Sequence, residues 1–336
     1  MSSRIVRVGI IGAGNIVSSI HLPVLKCIEG IEVEWIADVM GNAAKAVAAQ
    51  YRVKHSVDIR SPNEFPDCDV VLLATPLHAR KEYLKELAKR KMPVLVEKPF
   101  TATLEEHLAI ESQFQATPLS VGHMRRGYQS INTLRNLVRH APFGTLRKVT
   151  YSEGARVRSG GANSNLDRPN AEGGGVLRDL GCHGADLINF VTGAVAVEKI
   201  KSAIRWDDDT DREAVANFIL LIPETDDKLT PCPVDFKVTW LRDVDNYIAL
   251  HFDNVTVSCT LKPDSQVKVS SKDRVSTATW STTNQGARTA YQAFYLQWKT
   301  FLDSYLKGTM CRYDAKTVRL TTEVVQKLYA SGAKVC

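Results

Sequence analysis

The segment Val8-Gly9-Ile10-Ile11-Gly12-Ala13-Gly14-Asn15-Ile16-Val17 turns an apolar run directly into a helical pattern through two glycines. Gly12 supplies the backbone freedom that such a turn needs. Gly14 leaves the N–H groups at the helix start open to an anion, which the helix dipole favours. Val17 stands where a G-x-G-x-x-G fingerprint has its third glycine, which predicts a slightly larger distance between helix and strand. Asp38 closes the next apolar run. A carboxylate at that spacing either accepts hydrogen bonds from both ribose hydroxyls of an adenosine or caps the helix that follows. It repels a 2′-phosphate, and Val39-Met40-Gly41-Asn42 holds no arginine to reverse that preference. These residues predict a dinucleotide, NAD rather than NADP, against Gly12, Gly14, Asn15, Ile16 and Asp38.

The pattern around this turn sets the architecture. Apolar runs at 5–11, 33–37, 70–74, 94–97 and 119–122 alternate with helical patterns, the clearest at 80–90. Near-continuous apolar strands suit a parallel sheet covered on both faces. Beyond about residue 146 the period becomes two. Val234, Phe236, Val238 and Trp240 share one face, and Val255, Val257, Cys259 and Leu261 repeat the scheme, as antiparallel strands with one buried face do. A strand at 147–157, a Gly/Asn-rich loop at 159–175, a helix at 176–191 and closing helices at 291–306 and 315–329 complete the reading. The expected fold is α/β. A doubly wound parallel sheet spans 1–122, and an α+β domain with an open, mostly antiparallel sheet spans 123–290. The closing segment 291–336 is expected to pack back on the first domain.

Composition excludes several partners. Lys plus Arg is 43 and Asp plus Glu is 37, a surplus of +6 over 336 residues with no basic block, so no nucleic-acid partner is expected. No apolar run approaches the ~18 residues needed to cross a bilayer, and MSSRIVRVGIIGAG lacks the layout of a signal peptide, so no membrane partner is expected. Seven cysteines without a CxxC pair predict neither a disulfide framework nor a zinc site. A reducing cytoplasm and no metal follow.

Two further motifs carry chemistry. Glu97-Lys98-Pro99 ends a strand at the carboxyl edge of the sheet, where ligands of open α/β folds sit. Lys98 there can donate to a substrate oxygen. Thr75, Pro76, His78 and Glu97 end strands at the same edge and are expected beside the dinucleotide. The second motif, GGGVLRDLGCHGADL over 173–187, places Asp179 and His183 four residues apart on one helix face, with Asp186 on roughly the same side. Oxidising an alcohol removes a hydride from carbon and a proton from oxygen. A histidine, with its pKa near working pH, suits the proton step, while Asp179 can orient the imidazole or grip a hydroxyl. Cys182 is adjacent to His183 and does not face it on a helix.

Together GIIGAGNI, Glu97-Lys98-Pro99 and GGGVLRDLGCHGADL resemble the Gfo/Idh/MocA family, whose namesakes are glucose–fructose oxidoreductase and inositol 2-dehydrogenase. The resemblance runs over essentially the whole chain. It implies a Rossmann domain followed by a domain with an open, mostly antiparallel sheet. It also implies NAD or NADP with the nicotinamide over the cleft between domains, and oxidation or reduction of a secondary alcohol of a sugar, sugar derivative or cyclitol. By the same resemblance Lys98 contacts the reacting oxygen, Asp179 and His183 take the family's Asp and His positions with His183 as acid/base, and the Lys98–Pro99 bond is often cis. Two positions depart from the pattern. The family's histidine before the Glu-Lys-Pro strand is Arg80 here, and Phe-Asn-x-Arg reads His123-Met124-Arg125-Arg126. An atypical substrate pocket is the expectation.

Arg126, Arg156, Arg158, Asn163 and Asn165 are further candidates for a polyhydroxylated or anionic small-molecule substrate. The resemblance also implies a homodimer or homotetramer packed sheet against sheet; the face carrying Lys237, Thr239, Thr256, Ser258 and Thr260, polar but mostly uncharged, suits either solvent or such a wet interface. Two other activities share these residues: glycosidic cleavage through transient NAD-dependent sugar oxidation, and non-catalytic NAD sensing. A sensor has no use for a proton-transfer group.

Overall fold

The computed structural model describes residues 5–157, 173–225, 228–271, 277–280 and 286–335. The chain divides into two compact units, Met1–His123 with Phe294–Arg319, and Met124–Ala293 with Leu320–Cys336.

The first unit is a parallel sheet of six strands: β1 (Val6–Ile11), β2 (Ile31–Asp38), β3 (His55–Asp58), β4 (Val70–Leu73), β5 (Val94–Val96) and β6 (Leu119–Val121). Helices α1 (Leu22–Leu25), α2 (Gly41–Tyr51), α3 (Arg80–Lys89) and α4 (Leu104–Glu111) connect them. The strand order is β3-β2-β1-β4-β5-β6, so the winding reverses between β1 and β4. A reversal of that kind opens a crevice at the carboxyl ends of the strands. The central strands are buried on both faces, as their apolar runs require, with Ile11, Trp35, Val71, Leu73, Val94 and Val96 in one cluster. β3 carries no apolar run. It is an edge strand of largely exposed residues, which hydropathy does not reveal.

The second unit holds α5 (Gln129–His140), β7 (Lys148–Gly154), α6 (Cys182–Thr192), β8 (Ala196–Asp207), β9 (Thr210–Thr225), β10 (Lys228–Thr239), β11 (Tyr247–His251), β12 (Val255–Thr260), β13 (Val267–Ser271) and β14 (Thr277–Trp280). Helix α7 (Ala290–Lys307) crosses the division, and α8 (Arg319–Ser331) and β15 (Gly332–Val335) end the described chain. Among the described residues nine strands form an open sheet, β14-β13-β12-β11-β7-β10-β9-β8-β15. Pairing is antiparallel except for β7 with β10 and β8 with β15. Val234, Phe236 and Val238 are buried on the face that α6 covers. β10 begins six residues before the expected strand and includes Pro231 and Pro233. Both prolines pair with β9 but lie beyond the stretch paired with β7, so their missing N–H groups leave no gap in a central ladder.

Candidate functional site

In the first unit Gly12 has φ +105°, and a Cβ there would stand 2.6 Å from the Ala74 carbonyl oxygen. The turn therefore needs glycine. Nothing lies within 4 Å of the position a Gly14 Cβ would take. Val17, in place of the third glycine, is fully buried and opens a turn closed by i→i+5 hydrogen bonds, Val17–His21, before α1. Such π-turns recur at functional sites. Asp38 ends β2. Its Oδ2 accepts the Ala13 N–H at 2.7 Å and its Oδ1 accepts the Met40 N–H at 2.8 Å. Asp38 thus ties down the glycine turn; the N-cap of α2 is Met40, without a side-chain bond. Each carboxylate oxygen keeps a lone pair after these bonds. Thr75, just past β4, has a buried hydroxyl with no hydrogen-bond partner. Free space over Gly14, a fixed carboxylate with spare acceptor capacity and a buried unsatisfied hydroxyl at the carboxyl edge all fit a dinucleotide. Asn15 and His78 are exposed, and Ile16 and Pro76 are half-buried.

At the end of β5, Lys98 is half-buried and its peptide bond to Pro99 is cis. The Lys98 N–H donates to Glu97 Oε2 at 3.1 Å. Glu97 is buried, and its Oε1 meets His21 Nε2 at 2.9 Å. Trp298 donates its indole N–H to His21 Nδ1 at 3.0 Å. Burial pushes the Glu97 carboxyl up, but the hydrogen bond from His21 and the charges of Lys98 and Arg80 outweigh it and hold the carboxyl below its ordinary range. A Cβ on Gly122 would lie 3.0 Å from both Glu97 oxygens, so the glycine makes room for the carboxylate. Glu97 is held by protein on both oxygens, in place of the open cofactor contact expected of it. Arg80 opens α3 and reaches back to the carbonyls of Thr75, Glu97, Lys98 and Pro99.

In the second unit the helix expected at 176–191 begins as a π-turn over Leu177–Gly181 and continues as α6. An i→i+5 turn is wider than an α-turn, so four residues span slightly less than one turn rather than slightly more. Asp179 and His183 stay on neighbouring positions of one side, both half-buried. The buried Cys182 thiol lies 3.0 Å from the Arg178 carbonyl and 3.2 Å from that of Asp179, which ties it back to the preceding π-turn. Asp211 caps the start of this helix, accepting the Leu177 N–H at 2.8 Å and the Tyr329 hydroxyl at 2.9 Å. Gly175, at φ +100°, leaves room for it, since a Cβ there would fall 1.8 Å from Asp211 Oδ1.

Two candidates sit elsewhere than their motif suggested. Arg126 is buried rather than open to a substrate, and its Nε lies 2.9 Å from Asp186 Oδ2 and its Nη2 2.5 Å from Oδ1. Asp186 is accordingly a core partner of Arg126, not a third polar residue beside His183, because its face of α6 packs against the 124–127 turn. Arg156 is exposed, and its backbone N–H donates to Asp243 at 3.0 Å. Arg158, Asn163 and Asn165 lie outside the described residues. A cluster that no motif announced joins Arg125, Glu153 and Tyr151. Glu153 takes Arg125 at 2.8 Å and the Tyr151 hydroxyl at 2.6 Å. Burial first, then the Glu153 charge, pushes the Tyr151 hydroxyl well up, so it stays protonated and donates.

Residues 6–122 match the model of an oxidoreductase family with an NAD-binding Rossmann fold, Gfo/Idh/MocA, and residues 131–228 match that family's C-terminal domain. The chain belongs to the Gfo/Idh/MocA family. Among relatives, the rhizopine catabolism protein MocA of Rhizobium meliloti is 28% identical over 56% of this chain and 57% of its own length. The NAD-dependent scyllo-inositol 2-dehydrogenase of Bacillus subtilis is 26% identical over 56% of this chain and 52% of its own. The chain thus spans little more than half the length of the curated relatives it matches. A 3-ketoreductase from Actinomadura kijaniata, solved with NADP and TDP-benzene, shares the fold with a TM-score of 0.80, at 17% identity and 98% coverage of both chains. The Gfo/Idh/MocA fold expected from the motifs is the fold observed, and its first unit is an NAD-binding Rossmann domain. Among the described residues no helix is long and apolar enough to cross a membrane.

Sequence reasoning passed over His21, Arg80 and Asp211. His21 and Asp211 follow no motif, and their roles depend on partners distant in sequence. Arg80 was visible as a departure from the family pattern, but its four carbonyl contacts were not.

Proposed function

We propose that this chain is an NAD(P)-dependent oxidoreductase acting on a secondary alcohol or ketone of a sugar, sugar derivative or cyclitol. The observation that carries the reading is the Gly12 turn fixed by Asp38 in a chain of this family; the motifs holding Lys98, Asp179 and His183, which resemble the family's, add to it. The activities of two similar proteins, a scyllo-inositol 2-dehydrogenase and a 3-ketoreductase, support the substrate class.

When bound, the nicotinamide supplies the hydride acceptor or donor. In the oxidative direction His183 takes the hydroxyl proton. Lys98 donates to the same oxygen and stabilises negative charge that develops there. Asp179, one helical turn before His183, orients the imidazole or holds a substrate hydroxyl. Asp38 accepts from the ribose hydroxyls and disfavours a 2′-phosphate, which favours NAD over NADP. Assembly into a homodimer or homotetramer through the open sheet face carrying Lys237, Thr256 and Ser258 belongs to the same reading; Thr239, expected on that face, is buried.

Absorbance at the NADH band tests the reading with myo- and scyllo-inositol, glucose, glucose 6-phosphate, amino sugars and nucleotide sugars. NADH formation with one of them, lost by at least ~100-fold in His183→Ala, is the expected result. Aglycone release from a glycoside without net NADH points to the glycosidase instead. Dinucleotide binding without turnover, unaffected by His183→Ala, points to a sensor.

A further inference from the structure

Arg80 is 5% exposed and opens α3 at the carboxyl edge of the Rossmann sheet. A guanidinium offers five N–H donors in a rigid fork and no acceptor. Arg80 Nε donates to the Thr75 carbonyl at 2.9 Å, Nη1 donates to the carbonyls of Glu97 and Pro99, and Nη2 faces the Lys98 carbonyl at 3.4 Å. The three consecutive carbonyls from 97 to 99 therefore lie under one side chain, tied to the end of β4.

The consequence falls on Lys98. The peptide plane before its Cα is held at both ends, by Arg80 at the Glu97 carbonyl and by Glu97 Oε2 at the Lys98 N–H. The plane after its Cα has its carbonyl facing Arg80. With both planes fixed, the direction in which the Lys98 side chain leaves the backbone is fixed too. An ammonium on a flexible four-carbon stem depends on that direction, and a displacement of about 1 Å from productive geometry costs on the order of 100-fold in rate. A histidine in place of Arg80 carries at most two N–H donors and could not span four carbonyls.

We propose that Arg80 is a positioning residue for Lys98. The proposal rests on the reading of Lys98 as the group that donates to the reacting oxygen. It is tested on the full chain at saturating NAD with Arg80→Met, Arg80→Lys, Lys98→Met and the two double variants, using the polyol that gives turnover with the wild type. Arg80→Met is expected to lower kcat about 100-fold while KM for the polyol changes less than about 3-fold. In the Lys98→Met background the same substitution is expected to cost less than about 3-fold, because no ammonium remains to be positioned. Arg80→Lys, which keeps the charge and some donors, reads the same coupling if Arg80→Met does not fold. It is expected to lower kcat about 10-fold with Lys98 present and hardly at all without it. Equal losses in both backgrounds, or no loss in either, overturn the proposal while wild-type turnover stands. A wild type that neither binds NADH in a fluorescence titration nor turns over any polyol overturns the functional reading itself, and this proposal with it.

Discussion

His21 and Glu97 stand 76 residues apart in the chain and 2.9 Å apart in space. Trp298 decides which of them holds the proton between them. An indole N–H can only donate, so His21 Nδ1 accepts from Trp298, and Nε2 carries the hydrogen that Glu97 receives. The pair connects the helix that begins at the dinucleotide turn with the residue preceding Lys98. Glu97→Gln keeps the volume but turns an amide NH₂ toward one of two donors. It is expected to lower stability at pH 7 by about 1–3 kcal/mol, read by urea unfolding. Because the folded carboxyl lies below its ordinary range, its stabilisation is present above the unfolded pKa of about 4.3 and is lost as pH falls through the folded value. The gap between wild type and variant should therefore narrow below about pH 4. A gap that stays constant with pH contradicts the assignment.

His107 makes a second acid-sensitive point. It is fully buried, with Nε2 3.0 Å from the Ala315 carbonyl and its ring edge-on to Phe100. Burial lowers its pKa to about 4, against the opposing pull of the Ala315 carbonyl and Glu111. A histidine that gains its proton more readily unfolded than folded destabilises the fold as pH drops from about 6.5 to about 4. The depression corresponds to roughly 3 kcal/mol at the acid end. Thermal melts across that window should fall more steeply for the wild type than for His107→Gln; parallel curves would count against it.

The Arg126–Asp186 pair is a buried ion pair whose rupture strands a charge. Arg126→Met and Asp186→Asn should each destabilise the second unit by about 3–5 kcal/mol. The double variant should cost less than their sum, because no lone charge remains. Additive losses in denaturant unfolding would show the two residues to be energetically independent.

Much of this was readable from residue order. The β1 turn, Asp38, Glu97-Lys98-Pro99 and the 173–187 helix announced themselves because each is local: a run of apolar residues, a glycine at a forced φ, a four-residue spacing. Long-range pairs were not readable. Nothing in the order of residues joins His21 to Glu97, Arg126 to Asp186 or Asp211 to Leu177, since those contacts exist only once strands and helices have packed. The π-turns at Val17–His21 and Leu177–Gly181 were also hidden, because a widened turn uses the same residue types as an ordinary one. β3 was missed for want of apolar residues, and Pro231 and Pro233 hid the start of β10.

Gly12→Ala tests the dinucleotide turn without removing any polar group. Both its φ of +105° and the 2.6 Å approach to the Ala74 carbonyl forbid a Cβ. The variant should bind NADH at least ~10-fold more weakly in a fluorescence titration, since the backbone N–H groups that face the phosphates move with the turn. Unchanged affinity would place the dinucleotide elsewhere.

His183 is proposed to exchange the proton of an alcohol whose hydride goes to NAD. The most direct test is the rate of NADH formation by wild type and His183→Ala on the same polyol, with NADH affinity measured alongside. A fall of at least ~100-fold in rate with NADH affinity nearly unchanged is expected. Equal rates from the two proteins, at equal NADH affinity, would contradict it.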